Sequence, residues 1–579
     1  MTRNVLAATL LLSLAAASSL SAQAGPCQSF EPYFSIADNA IAKTDAPGPL
    51  AFSRYMRAIL VTSREDNLEL ARQVTPLIEP GRPVPAASLP LASCLLRRYL
   101  LTHYGEDMVK DLQTLVSFRT FATEGQENWY APEFERQREW LRKRAEEMGL
   151  KFKSYDGRVD EITLTGPKPI LAVLTHGDVQ DVQGQQWSSP PWEAKIVDGR
   201  IIGRGTEDDK GPIVAALYSL AVLRDTGWPR NSNIRLLIAN GEESSWAEIP
   251  YYLERAPMPD RTIGIDAAYP VTYAQKGYGV VTFRAQPVAK PRAGTWQVTR
   301  ITGGSCMSII PERGEALVKA TGDRKAALAE LSRLAATWAQ AHPPAKLTVA
   351  AEGSLLKITA EGRGGHSSEP ASGHNALGDL TAFLATLDPR LDAWGALAAF
   401  VGTSVGTETD GKALGIAHAD EEMGALTSSL SFVLDEKGTP VARVNIRVPR
   451  GIAKEKITQE ITSRAEAFTK RTGAAITSEV AMSSEPHYAP PEGPLVSTLL
   501  ATWEEVTGAP GRPIAIGGGT QARLFQGGVD FGPALGMDHY RGHGTDEYLT
   551  VDELKRIGEL TLTALWKLTG ETERPAGGK

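Results

Sequence analysis

Ile170-Leu171-Ala172-Val173-Leu174-Thr175-His176-Gly177-Asp178 is an apolar run that stops abruptly at a histidine, a glycine and an acid. A continuous apolar stretch this short reads as a strand buried on both faces, the kind found in sheets covered by helices. His176 and Asp178 stand two apart at its end, so their side chains share a face. Working outward, residues 234–239 repeat the apolar run, an amphipathic helical period covers 133–148, and 211–223 reads as a helix opening directly after Asp208-Asp209-Lys210. The alternation predicts an α/β layer with buried strands.

Between about 281 and 485 the texture changes. Strand-like runs at 309–311, 346–358 and 441–448 and a helix over 324–341 predict an inserted α+β domain. From 486 to 579 the α/β texture returns and ends in a helix over 551–568, so the α/β layer is discontinuous, with 108–280 as its first piece. Residues 25–107 read as a mostly helical N-terminal extension interrupted by a Pro-rich stretch. Residues 1–24 carry Arg3, an apolar run from Val5 to Leu20, and Ala22-Gln23-Ala24. That is the order of a secretory signal peptide, and it predicts an exported protein, periplasmic or secreted, with no membrane span after cleavage.

Removal of the signal leaves about 555 residues, more than one hydrophobic core organises, so two or three lobes are expected. The composition, 42 % hydrophobic and 22 % charged, is that of an ordinary globular protein. A net charge of −7 without any long Lys/Arg run disfavours nucleic acid as a partner. Three cysteines supply neither a disulfide framework nor a thiolate cluster, so any metal must be held by histidines and carboxylates. Export permits a Cys27–Cys94 disulfide; two free thiols fit the sequence equally well, and Cys306 is left over.

Four further segments carry chemistry. Gly203-Arg204-Gly205-Thr206-Glu207-Asp208-Asp209-Lys210-Gly211 places acids between a glycine-rich turn and a helix N-terminus, where free N–H groups and the helix dipole favour them. Asn240-Gly241-Glu242-Glu243-Ser244 sets adjacent acids at a strand end, which like-charge repulsion resists unless a cation lies nearby. Asp266 follows the run 263–265, and His543 lies in Tyr540-Arg541-Gly542-His543-Gly544-Thr545-Asp546-Glu547-Tyr548. Each motif alone is weak. In the order His, Asp, Glu-Glu, Asp, His, mostly at strand ends of one layer, they point to a single crevice and a donor set suited to Zn²⁺ or Mn²⁺.

With these motifs in order, the chain from about Val109 to Leu568 resembles the zinc peptidases that include carboxypeptidase G, aminoacylase, succinyl-diaminopimelate desuccinylase (the ArgE/DapE group) and carnosinase, and above all the PepV-type bacterial dipeptidases. The resemblance implies a discontinuous di-zinc peptidase catalytic domain, a mixed sheet flanked by helices, with an inserted α+β lid domain. It implies two Zn²⁺ ions, replaceable by Mn²⁺ or Co²⁺: His176 and Asp266 on one, Glu243 and His543 on the other, Asp208 bridging both before a cis Asp208–Asp209 peptide. Glu242 resembles the general base and Asp178 the residue orienting His176. His366, in Gly365-His366-Ser367, resembles a lid histidine that steadies the oxyanion. Arg447, in Asn445-Ile446-Arg447, resembles the anchor of a substrate carboxylate. Gly518 and Thr520, in Gly517-Gly518-Gly519-Thr520, resemble a loop lining the substrate backbone.

The implied activity is hydrolysis of the amide bond of dipeptides or short peptides with a free C-terminal carboxylate, through a hydroxide shared by two metals about 3.5–4 Å apart. One departure concerns specificity: Ser308 stands where relatives usually have an asparagine that helps hold the substrate. An insert of about 200 residues matches the duplicated lid of monomeric relatives, so a monomer is expected. Two other readings stay open, an N-acyl-amino-acid deacylase of the same chemistry and an inactive binding protein on this fold.

Overall fold

The computed structural model describes residues 27, 30–41, 48–122, 128–183, 185–320, 322–536 and 539–572. The expected signal peptide lies outside them. The chain divides into two compact units, the first comprising residues 1–273, 489–514 and 520–579, the second 274–488 and 515–519. The change of unit thus falls at 273/274 and 488/489, and residues 515–519, expected in the second α/β piece, cluster with the insert.

The first unit is an α/β layer. Its strands run in the order Lys151–Tyr155, Val159–Leu164, Asn233–Ala239, Ile170–His176, Arg261–Gly264, Val529–Asp530. The last four pair in parallel, and the first two are antiparallel additions at one side. Ile170–His176 is buried along its whole length, as its unbroken apolar run requires. Helix Gly211–Thr226 is apolar all round and buried; it packs against Leu89–Ser117 and Val551–Thr569. The latter opens with a reciprocal cap: the Thr550 hydroxyl accepts from the Glu553 N–H at 3.0 Å, and the Glu553 carboxylate accepts from the Thr550 N–H at 2.8 Å.

The N-terminal stretch is helical and clusters with this unit. Helix Leu89–Ser117 runs through the expected boundary at 107/108, because nothing there caps or breaks it. Cys27 and Cys94 form a disulfide with Cα atoms 5.5 Å apart, and Cys306 is free. No helix of the described residues is long and apolar enough to cross a membrane.

The second unit is built on an eight-stranded antiparallel sheet in the order Lys346–Glu352, Leu355–Glu361, Arg313–Ala320, Trp296–Gly303, Thr427–Glu436, Thr439–Val448, Gly277–Ala285, Ile476–Ser484. Helices Arg324–Ala341, Ala376–Thr386, Ala393–Ser404 and Lys454–Thr472 pack on it around one apolar core. Two expected strands differ. The run 346–358 is a hairpin broken at Gly353, whose φ of 58° closes a two-residue turn between Glu352 and Leu355. The run 309–311 makes one isolated bridge, Ile309 to His366, with Pro311 lacking the donor that a longer ladder needs.

Candidate metal centre

Three adjacent parallel strands, Asn233–Ala239, Ile170–His176 and Arg261–Gly264, end at the same edge of the sheet; His176 pairs with Ala239. The residues just past those ends therefore emerge side by side: His176, then Glu242 and Glu243, then Asp266. Asp208 comes from the irregular turn Thr206–Lys210 that leads into Gly211–Thr226, and the Asp208–Asp209 peptide is cis. His543 arrives from the segment preceding Val551–Thr569.

These side chains meet. The Asp208 carboxylate offers one oxygen to each imidazole: Oδ1 lies 2.8 Å from His176 Nε2 and Oδ2 3.0 Å from His543 Nε2. Asp266 Oδ1 stands 3.6 Å from His176 Nε2, and Glu243 Oε1 2.9 Å from His543 Nε2. Donor atoms of His176, Asp208 and Glu243 lie within 4.8 Å of one another, as do those of His176, Glu242 and Asp266. Glu242 thus faces the same cleft. Gly542 makes room beside it, since a Cβ there would sit 2.8 Å from Asp208 Oδ2.

The surrounding contacts fix this set in place. His176 Nδ1 lies 2.9 Å from the main-chain carbonyl of Asp178, while the Asp178 carboxylate is 3.6 Å away. That carboxylate instead accepts the backbone N–H groups of Glu242 at 3.2 Å and Glu243 at 3.0 Å. The expected orienting residue therefore does two jobs with two different groups. Asp209 accepts the His176 N–H at 3.0 Å, Gln180 donates to Glu243 Oε2 at 2.8 Å, and the Tyr540 hydroxyl donates to Asp208 Oδ2 at 2.5 Å. Gln180 lies in no motif the sequence displays, and Tyr540, though it opens the segment around His543, carries no local sign of its contact with Asp208.

The electrostatics are those of a cleft short of positive charge. Burial pushes the carboxyls of Glu242, Asp178 and Asp209 upward and that of Asp266 to about 6; neighbouring acids push the same way, Asp266 on Glu242 and Asp208 on Asp266. Burial opposes charge on Asp208 as well, yet hydrogen bonds from His176 and His543 hold it well below the usual carboxylate range. Lys210 gives no relief, because its ammonium donates to the Leu115 and Phe118 carbonyls at 2.9 and 2.6 Å. Two imidazoles and several crowded carboxylates without thiolate are the donor set of a hard or borderline divalent cation, so the residues present fit Zn²⁺ or Mn²⁺.

In the second unit, His366 Nδ1 lies 2.6 Å from the Ser368 hydroxyl. Arg447 is buried, stacks its guanidinium 4.5 Å from the Tyr278 ring centroid, and donates Nε to Asn445 Oδ1 at 3.1 Å. It has no carboxylate partner among the described residues, and burial pushes it down to about 10. Ser308 Oγ is 3.1 Å from Cys306 Sγ. A side chain at Gly518 would meet open space. Thr520, in the first unit, does not offer its side chain outward: it is 4 % exposed, with its hydroxyl 2.9 and 3.0 Å from the Asp530 carboxylate oxygens.

Fold and donor set together define an α/β metallopeptidase. The sequence profile of Peptidase family M20/M25/M40 matches residues 172–567, and the chain belongs to that family. The Beta-Ala-Xaa dipeptidase of Lactobacillus delbrueckii subsp. lactis is 30 % identical over 429 residues, which cover 73 % of this chain and 86 % of that protein. The crystal structure of human carnosine dipeptidase 1 is similar in fold, with a TM-score of 0.54 at 14 % identity over 84 % of this chain and 99 % of that one.

Proposed function

We propose that this peptidase is an exported, metal-dependent dipeptidase, and the observation that carries the reading is the Asp208 carboxylate turned between His176 and His543, with Asp266 and Glu243 beside them. His176, Asp266 and Asp208 would hold one ion, and His543, Glu243 and Asp208 a second. When bound, such a pair supplies Lewis acidity and eases the ionisation of water at neutral pH. Glu242 takes the proton of the attacking water and passes it to the leaving amine, which cannot depart as an anion. Asp178 supports it by pinning the Glu242 and Glu243 N–H groups.

The remaining assignments follow the family resemblance. His366 donates to the oxyanion of the tetrahedral intermediate. Arg447 takes the C-terminal carboxylate of the substrate, and its burial without an acidic partner among the described residues supports this, because a buried cation left unpaired is costly. The dipeptidase named above, alike over most of both chains, supports a dipeptide substrate. The Cys27–Cys94 disulfide supports an oxidising compartment, hence export, and the size of the second unit supports a monomer.

The test is a paired assay of a dipeptide and its N-acetyl form with metal-stripped protein before and after Zn²⁺ or Mn²⁺ is restored. Metal-dependent cleavage of the free dipeptide is expected. Preference for the N-acetyl form would make the protein a deacylase, and turnover of neither would leave a binding protein.

A further inference from the structure

Arg204 and Glu547 have no part in that chemistry, yet they form an ion pair beside it that is 1 % and 0 % exposed. Buried charges persist where they are paired and hydrogen-bonded; here both terminal nitrogens of Arg204 and both oxygens of Glu547 have partners, and only Arg204 Nε has none among the described residues. Glu547 Oε2 accepts from Arg204 Nη1 at 2.7 Å, and its Oε1 accepts the backbone N–H groups of Glu207 at 2.9 Å and Asp208 at 3.1 Å. Arg204 Nη2 donates to the main-chain carbonyl of His543 at 3.1 Å and to Gln185 Oε1 at 2.9 Å; Gln185 Nε2 donates to that same carbonyl at 2.9 Å. The guanidinium also lies 5.3 Å from the Trp187 ring centroid.

One ion pair therefore grips the backbone of Asp208 at one end and of His543 at the other, two segments that meet only through the fold. His543 also needs gripping. Its φ of 64° lies in the left-handed region, which side chains other than glycine rarely adopt, and its carbonyl is the group held by both Arg204 and Gln185.

We propose that Arg204 and Glu547 are positioning residues that set the spacing of Asp208 and His543, so that the half of the site these share with Glu243 is assembled before a metal ion arrives. The proposal rests on the metal-site reading above. Its distinguishing consequence is asymmetry. Asp208 would serve both ions but His543 only one, and the pair touches neither Asp266 nor the main chain of His176, so its loss weakens the step that uses His543 and Glu243 more than the other.

The experiment is stepwise titration of the metal-stripped full chain with Zn²⁺ by calorimetry, with the visible spectrum of the Co²⁺ form as a second readout. The variants are Glu547→Gln, Arg204→Lys and the double variant Arg204→Met with Glu547→Gln, which removes both charges and so keeps the test open if the lone Arg204 charge of the Gln variant prevents folding. Wild type takes two equivalents. In the Gln and double variants one step weakens by roughly 10- to 100-fold, the scale for partners behind a metal ligand, while the other, which shares only Asp208 with it, weakens clearly less, and the Co²⁺ bands of one site shift more than those of the other. Arg204→Lys, keeping charge but not the fork, recovers part of the loss. Equal weakening of both steps with a lower unfolding temperature of the metal-free protein would show a merely structural pair and overturn the proposal, as would two unchanged steps in a folded variant. Wild type that binds no Zn²⁺ sinks the metal-site reading itself, a result distinct from either.

Discussion

Replacing Asp178 by asparagine separates the two jobs that the structure divides within this residue. If the carboxylate oriented His176, the change would loosen metal at that imidazole. In the structure the main-chain carbonyl faces His176 Nδ1 at 2.9 Å, and an asparagine keeps that carbonyl. What the variant loses is one anionic acceptor for two N–H groups, Glu242 at 3.2 Å and Glu243 at 3.0 Å. An amide oxygen serves one of them, and its NH₂ is driven against the other. Each bond to a charged group contributes about 1.5–3 kcal/mol, so one lost bond, discounted for the burial that already disfavours the Asp178 charge, costs about 2 kcal/mol of stability. The larger effect is on rate. A shift of about 1 Å in the Glu242 loop is worth roughly 100-fold in kcat. Metal affinity by calorimetry, kcat at saturating metal and urea unfolding give the three readings: affinity nearly kept, kcat down about 100-fold, midpoint lowered. A variant that loses metal more than tenfold yet turns over normally once saturated would refute the division of labour.

Glu242→Ala keeps both metal equivalents and loses roughly 10²- to 10⁴-fold in kcat, the usual value of a general base; full activity in that variant would remove the assignment. Arg447→Ala raises KM for a free dipeptide by roughly 10²- to 10⁴-fold, as expected for two lost charge-assisted bonds, and barely affects a C-terminally amidated substrate, so steady-state kinetics on the pair decides it. Glu248 is fully buried, and burial raises its carboxyl to about 7, above its ordinary value of 4.5. The folded state thus holds that proton longer than the unfolded chain, and its contribution to stability falls as pH rises from about 4.5 to 7; Glu248→Gln therefore stabilises the protein at pH 8 by on the order of 3 kcal/mol at most and hardly at pH 4.5, measured by urea unfolding at both. Reducing the Cys27–Cys94 disulfide, which closes a loop with a sequence separation of 67, costs about 2–4 kcal/mol in the same assay and leaves metal affinity unchanged.

The α/β layer was legible because its strands are unbroken apolar runs, and the candidate site was legible because His176, Glu242, Glu243 and Asp266 sit directly at or just past their ends. Local pattern carries both. The hairpin at Gly353 was misread as one strand because the lone glycine of its turn is the only break between two strand-like runs, and the boundary at 107 was misplaced because helix Leu89–Ser117 has no breaker there. Thr520 entered through the family resemblance, and its sequence gives no sign that Asp530, ten residues on, takes its hydroxyl. Arg204 and Glu547 were in view within quoted motifs, and nothing local could show that they join each other across the chain. Pairings of that span belong to the fold and leave no mark on spacing.

The order in which the five clustered side chains occur along the chain sets when a complete site can exist. His176, Asp208, Glu243 and Asp266 all precede the change of unit at 273/274, whereas His543 follows the whole of residues 274–488. At ribosomal speeds of about 5–20 residues per second, the last imidazole trails the others by roughly 15 to 55 seconds. A growing chain therefore spends that interval with an acidic, one-histidine half-cage, and full loading with metal is an event of the finished polypeptide.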